Sequence, residues 1–138
     1  MINRLSSVLD FQAQALALRA DRQRILAGNI ANTDTPGFQA RDFDFANALR
    51  EATQAQQGRL GAPVAADLLQ RKAGSAGRYE PRLTYAVPSQ TNLDGNTVDL
   101  DRERASFADN AVKFEATLRF INGSMRTMLD AMKGPNQA

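Results

Sequence analysis

The sequence predicts a mainly α protein: long N- and C-terminal helices forming an antiparallel coiled-coil-like pair, with a small irregular, short-strand middle region. Three observations carry that prediction. The first 33 residues contain no Pro and a single Gly, Gly28. Near the other end, apolar side chains repeat at alternating steps of four and three over more than three heptads. Between these stretches, residues 57–93 hold half of all the Gly and Pro in the chain, with only scattered large apolar residues. Three units follow: residues 1–56, a variable region at 57–93, and residues 94–138. At 138 residues and 15.1 kDa, one domain is expected.

The first helix is expected over about residues 3–33. Leu5, Val8, Leu9, Leu16, Ile25, Leu26 and Ile30 recur at spacings of three, four and seven, while Gln12, Arg19 and Gln23 interrupt the stripe. Such a helix buries one face in a polar-laced contact with a partner helix. It should end near Asn32 or Thr33. Pro36 pushes Thr35 out of the helical region, and Pro36-Gly37 signals a type II turn whose positive φ falls on Gly37. Asn29 and Asn32 lie one turn apart on one face. Their amides are placed to bond orphan helix-end carbonyls or to cross to a neighbour. After Phe38 a short stretch, residues 39–44, leads to Asp44, a cap for a second helix reaching about Gln56 and carried by Phe45 and Leu49.

In the middle region, Arg82-Leu83-Thr84-Tyr85-Ala86-Val87 alternates as a half-buried strand would, and Pro88 ends it. Asp94-Gly95-Asn96 is a turn, with Asn96 or Thr97 expected to cap the last helix. Asp99, Asp101 and Glu103 suit the positive end of its dipole. Phe107, Ala111, Phe114, Leu118, Ile121, Met125, Met128 and Met132 then form the heptad seam, and Lys133-Gly134-Pro135 stops the helix. Gly123 within it is about 1 kcal/mol worse than Ala, tolerable where a partner helix approaches closely.

Composition narrows the function. Of 59 apolar residues 23 are Ala, and Val, Ile, Leu and Phe number only 30, thin for a self-sufficient globule. The two helices leave apolar surface for other subunits to cover. With no Cys and no His, disulfides, thiolate nucleophiles, imidazole bases and Cys/His metal sites are excluded. No catalytic, cofactor or metal residues are expected, and the chain reads as a non-enzyme. The run from Asp94 to Asp101 fails as a calcium loop, since Asp99 stands where Gly is required. Asn122-Gly123-Ser124 is a sequon placed mid-helix. Seventeen basic against fifteen acidic residues leave no cationic footprint; the densest cluster is Arg19, Arg22 and Arg24, interrupted by Asp21. With no apolar run of spanning length and no Sec-type signal, these features alone predict a cytoplasmic protein.

One segment is more specific. Asn29-Ile30-Ala31-Asn32-Thr33-Asp34-Thr35-Pro36-Gly37-Phe38 resembles the N-terminal signature of bacterial flagellar axial proteins, those of rod, hook and hook junction. Its elements are Asn29, Ile30, Ala31, Asn32, Thr35, Pro36, Gly37 and Phe38. The flanks are similar to proximal-rod members of that family: Phe11-Gln12, Leu18-Arg19-Ala20, Arg22-Gln23, residues 39–46, residues 93–104 and Phe107-Ala108-Asp109-Asn110. The Asn-Val-Asn-type lead-in of the sister rod protein FlgC is absent. The resemblance covers roughly residues 1–50 and 90–133.

The resemblance implies a structural subunit of the basal-body rod, the base of the flagellar drive shaft. It reverses the cytoplasmic expectation: such proteins leave through the flagellar type III export gate without a cleaved signal and polymerise in the periplasm. Implied partners are copies of itself, the rod proteins FlgC and FlgF, the rod-to-ring adaptor FliE, the membrane ring and the export gate. No nucleic acid or small-molecule substrate is among them. Residues expected at packing or assembly contacts are Leu5, Leu9, Leu16, Leu26, Ile30 and the seam from Phe107 to Met132. The alternative is a helical adaptor or nucleic-acid-binding architectural protein, which would bind duplex DNA with a steep salt dependence. A gel-retardation assay at low salt separates the two, and no shift of duplex is expected.

Overall fold

The computed structural model describes residues 2–60, 79–86 and 93–133, with side chains in the first stretch described from Ser7 to Ala55. The elements are α1 (Ile2–Ala31), β1 (Arg41–Asp42), α2 (Phe45–Leu60), β2 (Thr84–Tyr85) and α3 (Leu100–Lys133). The long helices α1 and α3 pack antiparallel: Gln12 meets Ser124 toward the chain termini, and Asn29 meets Glu103 at the other end. At ~1.5 Å per residue they are about 45 and 51 Å long. The helix α2 packs on α1, and β1 pairs with β2 in an antiparallel ribbon, Arg41 opposite Tyr85 and Asp42 opposite Thr84.

The apolar core is small and lies where α2 crosses α1. Leu18, Phe43, Ala48 and Ala52 form it, with Ile25, Phe45, Leu49 and Tyr79 packed around them. Leu26, Ala40 and Val98 are buried nearer the end of α1. Leu18 and Leu26 each contribute about 1.5–3 kcal/mol by leaving water.

Helix ends follow local chemistry. The last turn of α1 tightens: the Asn32 amide reaches the carbonyls of both Gly28 and Asn29, and the Thr33 amide reaches Ile30. The turn is closed by the Phe38 amide donating to the Thr35 carbonyl, with Gly37 at φ 72°. Asp44 caps α2, its Oδ1 accepting from the amides of Ala46 and Asn47. That helix runs past Gln56 to Leu60, and α1 stops at Ala31, within two residues of the expected end near Asn32 or Thr33.

Two expectations need correction. The last helix starts at Leu100, and its cap is Asp99 rather than Asn96 or Thr97: the Asp99 Oδ1 accepts from Arg102 and its carbonyl from Glu103. Asn96 and Thr97 are drawn away because backbone groups after α1 claim their side chains, the carbonyls of Asn32, Thr33 and Thr35 for Asn96 and the Ala40 amide for Thr97. The alternating segment pairs only at Thr84–Tyr85, with one further bond from the Ala86 amide to the Ala40 carbonyl. Leu83 and Tyr85 are exposed, because α1 packs on β1 while no described element covers these two side chains at the outer strand. Val87, Pro88, the rest of the variable region at 61–78 and 87–92, and the Gly134-Pro135 stop lie outside the described residues.

The turn yields a test. An added Cβ at Gly37 meets nothing within 4 Å, so only the left-handed backbone opposes it. Gly37→Ala is expected to lower the unfolding free energy by about 1 kcal/mol, read by urea denaturation followed by circular dichroism.

Candidate functional site

Two features stand out: a hydrogen-bonded joint where α1 hands over to the rest of the chain, and an uncovered apolar face along α3. The joint brings the Asn29–Phe38 signature against residues 94–97. The Gly37 amide donates to the Asp94 carbonyl at 2.8 Å and the Thr97 amide to the Phe38 carbonyl at 3.0 Å. The Ala40 amide donates to the Thr97 hydroxyl at 2.9 Å. Asn96 is buried here, and its Nδ2 lies 3.0, 2.6 and 3.0 Å from the carbonyls of Asn32, Thr33 and Thr35. Its Oδ1 accepts from the Val98 amide. Its two amide hydrogens are thus shared among three carbonyls of the turn that follows α1, two of which also accept from the Thr35 and Phe38 amides.

Asn29 ties the joint to both neighbours. Its Oδ1 accepts from the Arg41 amide at 3.1 Å, and its Nδ2 donates to the Arg41 carbonyl at 2.8 Å and to Glu103 Oε2 at 3.0 Å. Asn29 and Glu103 are both buried, so the carboxylate depends on that donor. Asn32 closes on its own helix, donating to the Gly28 carbonyl. Ile30 and Phe38 are half-buried, while Ala31, Thr35, Pro36 and Gly37 form the exposed shoulder of the turn.

The arginine cluster is engaged within the chain. Arg22 grips Asp42 with two bonds, Nε to Oδ1 at 3.0 Å and Nη2 to Oδ2 at 2.7 Å. Those bonds raise its pKa against the opposing effect of burial. Arg19 stacks 4.1 Å from the Phe45 ring centre and donates to Asn110 Oδ1. Burial, with Arg22 nearby, lowers its pKa. Arg24 pairs with Asp21 one turn away.

The seam between the long helices is half polar. Toward α1, α3 presents Glu103, Asn110 and Ser124, one or two heptads apart. Asn110 is fully buried, its Nδ2 donating to the Arg19 carbonyl at 2.9 Å and to Gln23 Oε1 at 2.6 Å. Phe107, Phe114, Ile121 and Met128 are half-buried beside this column. The remaining expected seam residues divide: Ala111 is half-buried, but Leu118, Met125 and Met132 are exposed, at 37%, 50% and 76%. Val112, Phe120 and Leu129 are exposed as well.

On α1, Leu26 is buried, Leu9, Leu16 and Ile30 are half-buried, and the Leu5 side chain lies outside the described residues. No described side chain of α1 before Ala15, and none of α3 after Asn110, is fully buried. Val8, Phe11, Thr117 and Phe120 line an open apolar groove between the two helices at that end.

Sequence reasoning missed Leu18, Phe43 and Asn96 as buried residues, and the inward column Glu103–Asn110. A signal existed for the column. Gln12, Arg19 and Gln23 break the stripe on α1 at the levels where Ser124 and Asn110 sit on α3. No group of carboxylates able to hold a metal occurs among the described residues, and no described helix is long and apolar enough to cross a membrane.

A braced helical strut with its apolar side uncovered is the build of an assembly subunit. The comparisons with known proteins specify which kind. Residues 9–39, most of α1 and the signature turn, match the family model for the flagella basal body rod protein. The chain is 45% identical over 139 residues to the flagellar basal body rod protein FlgB of Proteus mirabilis (strain HI4320), spanning 96% of this chain and 98% of that protein. Identity to FlgB of Salmonella typhimurium is 45% and to FlgB of Escherichia coli (strain K12) 43%, in both cases over 99% of this chain and all of the relative. The chain belongs to the FlgB family of flagellar basal body rod proteins. This family is structural rather than enzymatic, and the adaptor or nucleic-acid alternative finds no support in it.

Asn96→Ala removes the one donor shared by three carbonyls. It is expected to lower stability by about 2 kcal/mol in urea denaturation, while Asp34→Ala at the exposed shoulder changes it by less than about 0.5 kcal/mol.

Proposed function

We propose that this structural rod subunit belongs to the proximal rod and packs into it through α1 and α3, whose open sides meet neighbouring subunits in the inner wall of a helical tube. The outward column Leu118, Met125 and Met132 is the observation that carries this reading. Three large apolar side chains at heptad spacing, with Leu129 beside them, gain several kcal/mol when covered. Contacts of the head-to-tail kind, which do not close on themselves, turn such a strut into a filament. The joint at Asn29, Asn96 and Glu103 sets the angle at which the chain leaves α1, and so the direction in which α2 and the ribbon project.

Copies of the same chain are the first neighbours in this reading, followed by FlgC, FlgF, the adaptor FliE, the membrane ring and the export gate. The chain is exported by the flagellar type III route without a cleaved signal and assembles in the periplasm. The absence of Cys from the sequence and the small core suit a chain that travels unfolded and completes its packing on arrival.

Aspartate substitutions on α3 test the assembly face. Met125→Asp places a charge where the free subunit is already solvated, so helicity and melting temperature should stay within a degree or two of wild type. In a strain lacking the native gene, the same variant should yield basal bodies without a rod and abolish swimming, because the charge is buried unpaired at a subunit contact. Leu118→Asp should act alike, whereas Ile121→Asp, half-buried against α1, should also destabilise the free subunit. Normal swimming with Met125→Asp would remove the proposed face.

A further inference from the structure

The central column of α3, Phe107–Phe114–Ile121–Met128, is flanked by two others. On one side stand Glu103, Asn110, Thr117 and Ser124, on the other Ala111, Leu118, Met125 and Met132. By apolar content alone, the second flank makes the better seam. Turning α3 by about 50° about its own axis would bring it onto α1 and expose the polar flank instead. The fold adopts the opposite setting. Asn110 is fully buried, Glu103 nearly so, and Met125 and Met132 face outward.

We propose that the polar flank is a rotational lock: it holds α3 in the setting that faces α1 with hydrogen-bonding groups, and so prevents the subunit from folding its own apolar column inward. Three contacts spaced along the pair form the lock. Glu103 accepts from Asn29. Asn110 bonds Gln23 Oε1 and the Arg19 carbonyl through Nδ2 and takes a bond from Arg19 through Oδ1. Ser124 accepts from Gln12 at 3.4 Å. In the rotated setting, Asn110 and Glu103 leave these partners, and Asn29 stays buried without its carboxylate. A polar residue in a helical seam selects one arrangement at the expense of stability. Here the selection keeps the column that we assign to neighbouring subunits free for them. That purpose rests on the assembly reading; the lock itself is a property of the single chain and is tested there.

The test uses the full-length monomer, in which engineered cysteines are clean reporters because the native chain has none. Gln12→Cys with Ser124→Cys places thiols at a contact made in the observed setting. Disulfide yield under mild oxidation is compared with and without Asn110→Leu, with Val112→Leu as the outward control. The lock predicts that Asn110→Leu leaves the melting temperature unchanged or raised while the yield falls about threefold as the rotated setting gains population. The control should leave the yield unchanged. An undiminished yield with Asn110→Leu overturns the proposal. So does a lower melting temperature, because Asn110 would then be serving stability rather than selection. Neither result bears on whether Met125→Asp blocks rod assembly.

Discussion

The turn after α1 carries backbone carbonyls that lie outside any helix or strand, and the arrangement of this molecule depends on the side chain that reaches them. They find the Asn96 amide, supplied from more than sixty residues further along the chain. Satisfying them brings the lead-in to α3 against the signature turn. That contact places Glu103 against Asn29 and starts α3 back along α1. The antiparallel pair is therefore anchored by polar contacts at one end, and side-chain packing continues along it from there. The burial pattern follows: residues are fully covered near the joint and progressively less so toward the chain termini.

Scarcity of apolar residues explains the rest. The large ones near the joint are used in the small core around Leu18 and Phe43, at the crossing of α1 and α2. Those of α3 are divided between a half-buried column against α1 and an outward column with no cover. A globule that hid both would need another layer, and the described part of the chain does not provide one. The same shortage that leaves the free subunit incomplete gives it a surface for others to complete. Membership in a family of rod proteins is what such a division would serve.

Much of this was legible in the sequence, and the exceptions have one cause. Pro36-Gly37, Asp44 and the Leu- and Ala-rich first helix act through neighbouring residues, so their spacing was enough to place the turn, the cap and the helices. Asn96 was misassigned as a helix cap because its acceptors lie far away in the chain, and nothing local distinguishes an Asn that caps from one that clamps. The strand at Thr84–Tyr85 is shorter than its alternation suggests, because alternation marks a half-buried strand only where a layer covers one face, and cover is a tertiary property. Phe107, Phe114, Ile121 and Met128 are half-buried, and a pattern of apolar positions is blind to polar residues that face inward as partners. Asn110 is the clearest instance, fully buried at a heptad position that apolar patterning passes over.

Amide hydrogen exchange of the purified, dilute monomer tests the central claim most directly, since it reads local opening along both helices. The account predicts slow exchange over residues 15–30 and 96–114, the joint and the covered half of the pair. It predicts exchange faster by at least a factor of about 100 over residues 8–14 and 118–132, where the helices lack complete cover. Uniformly slow exchange from end to end of α1 and α3 in the isolated chain would contradict it, because such a pair would need no neighbour to be finished.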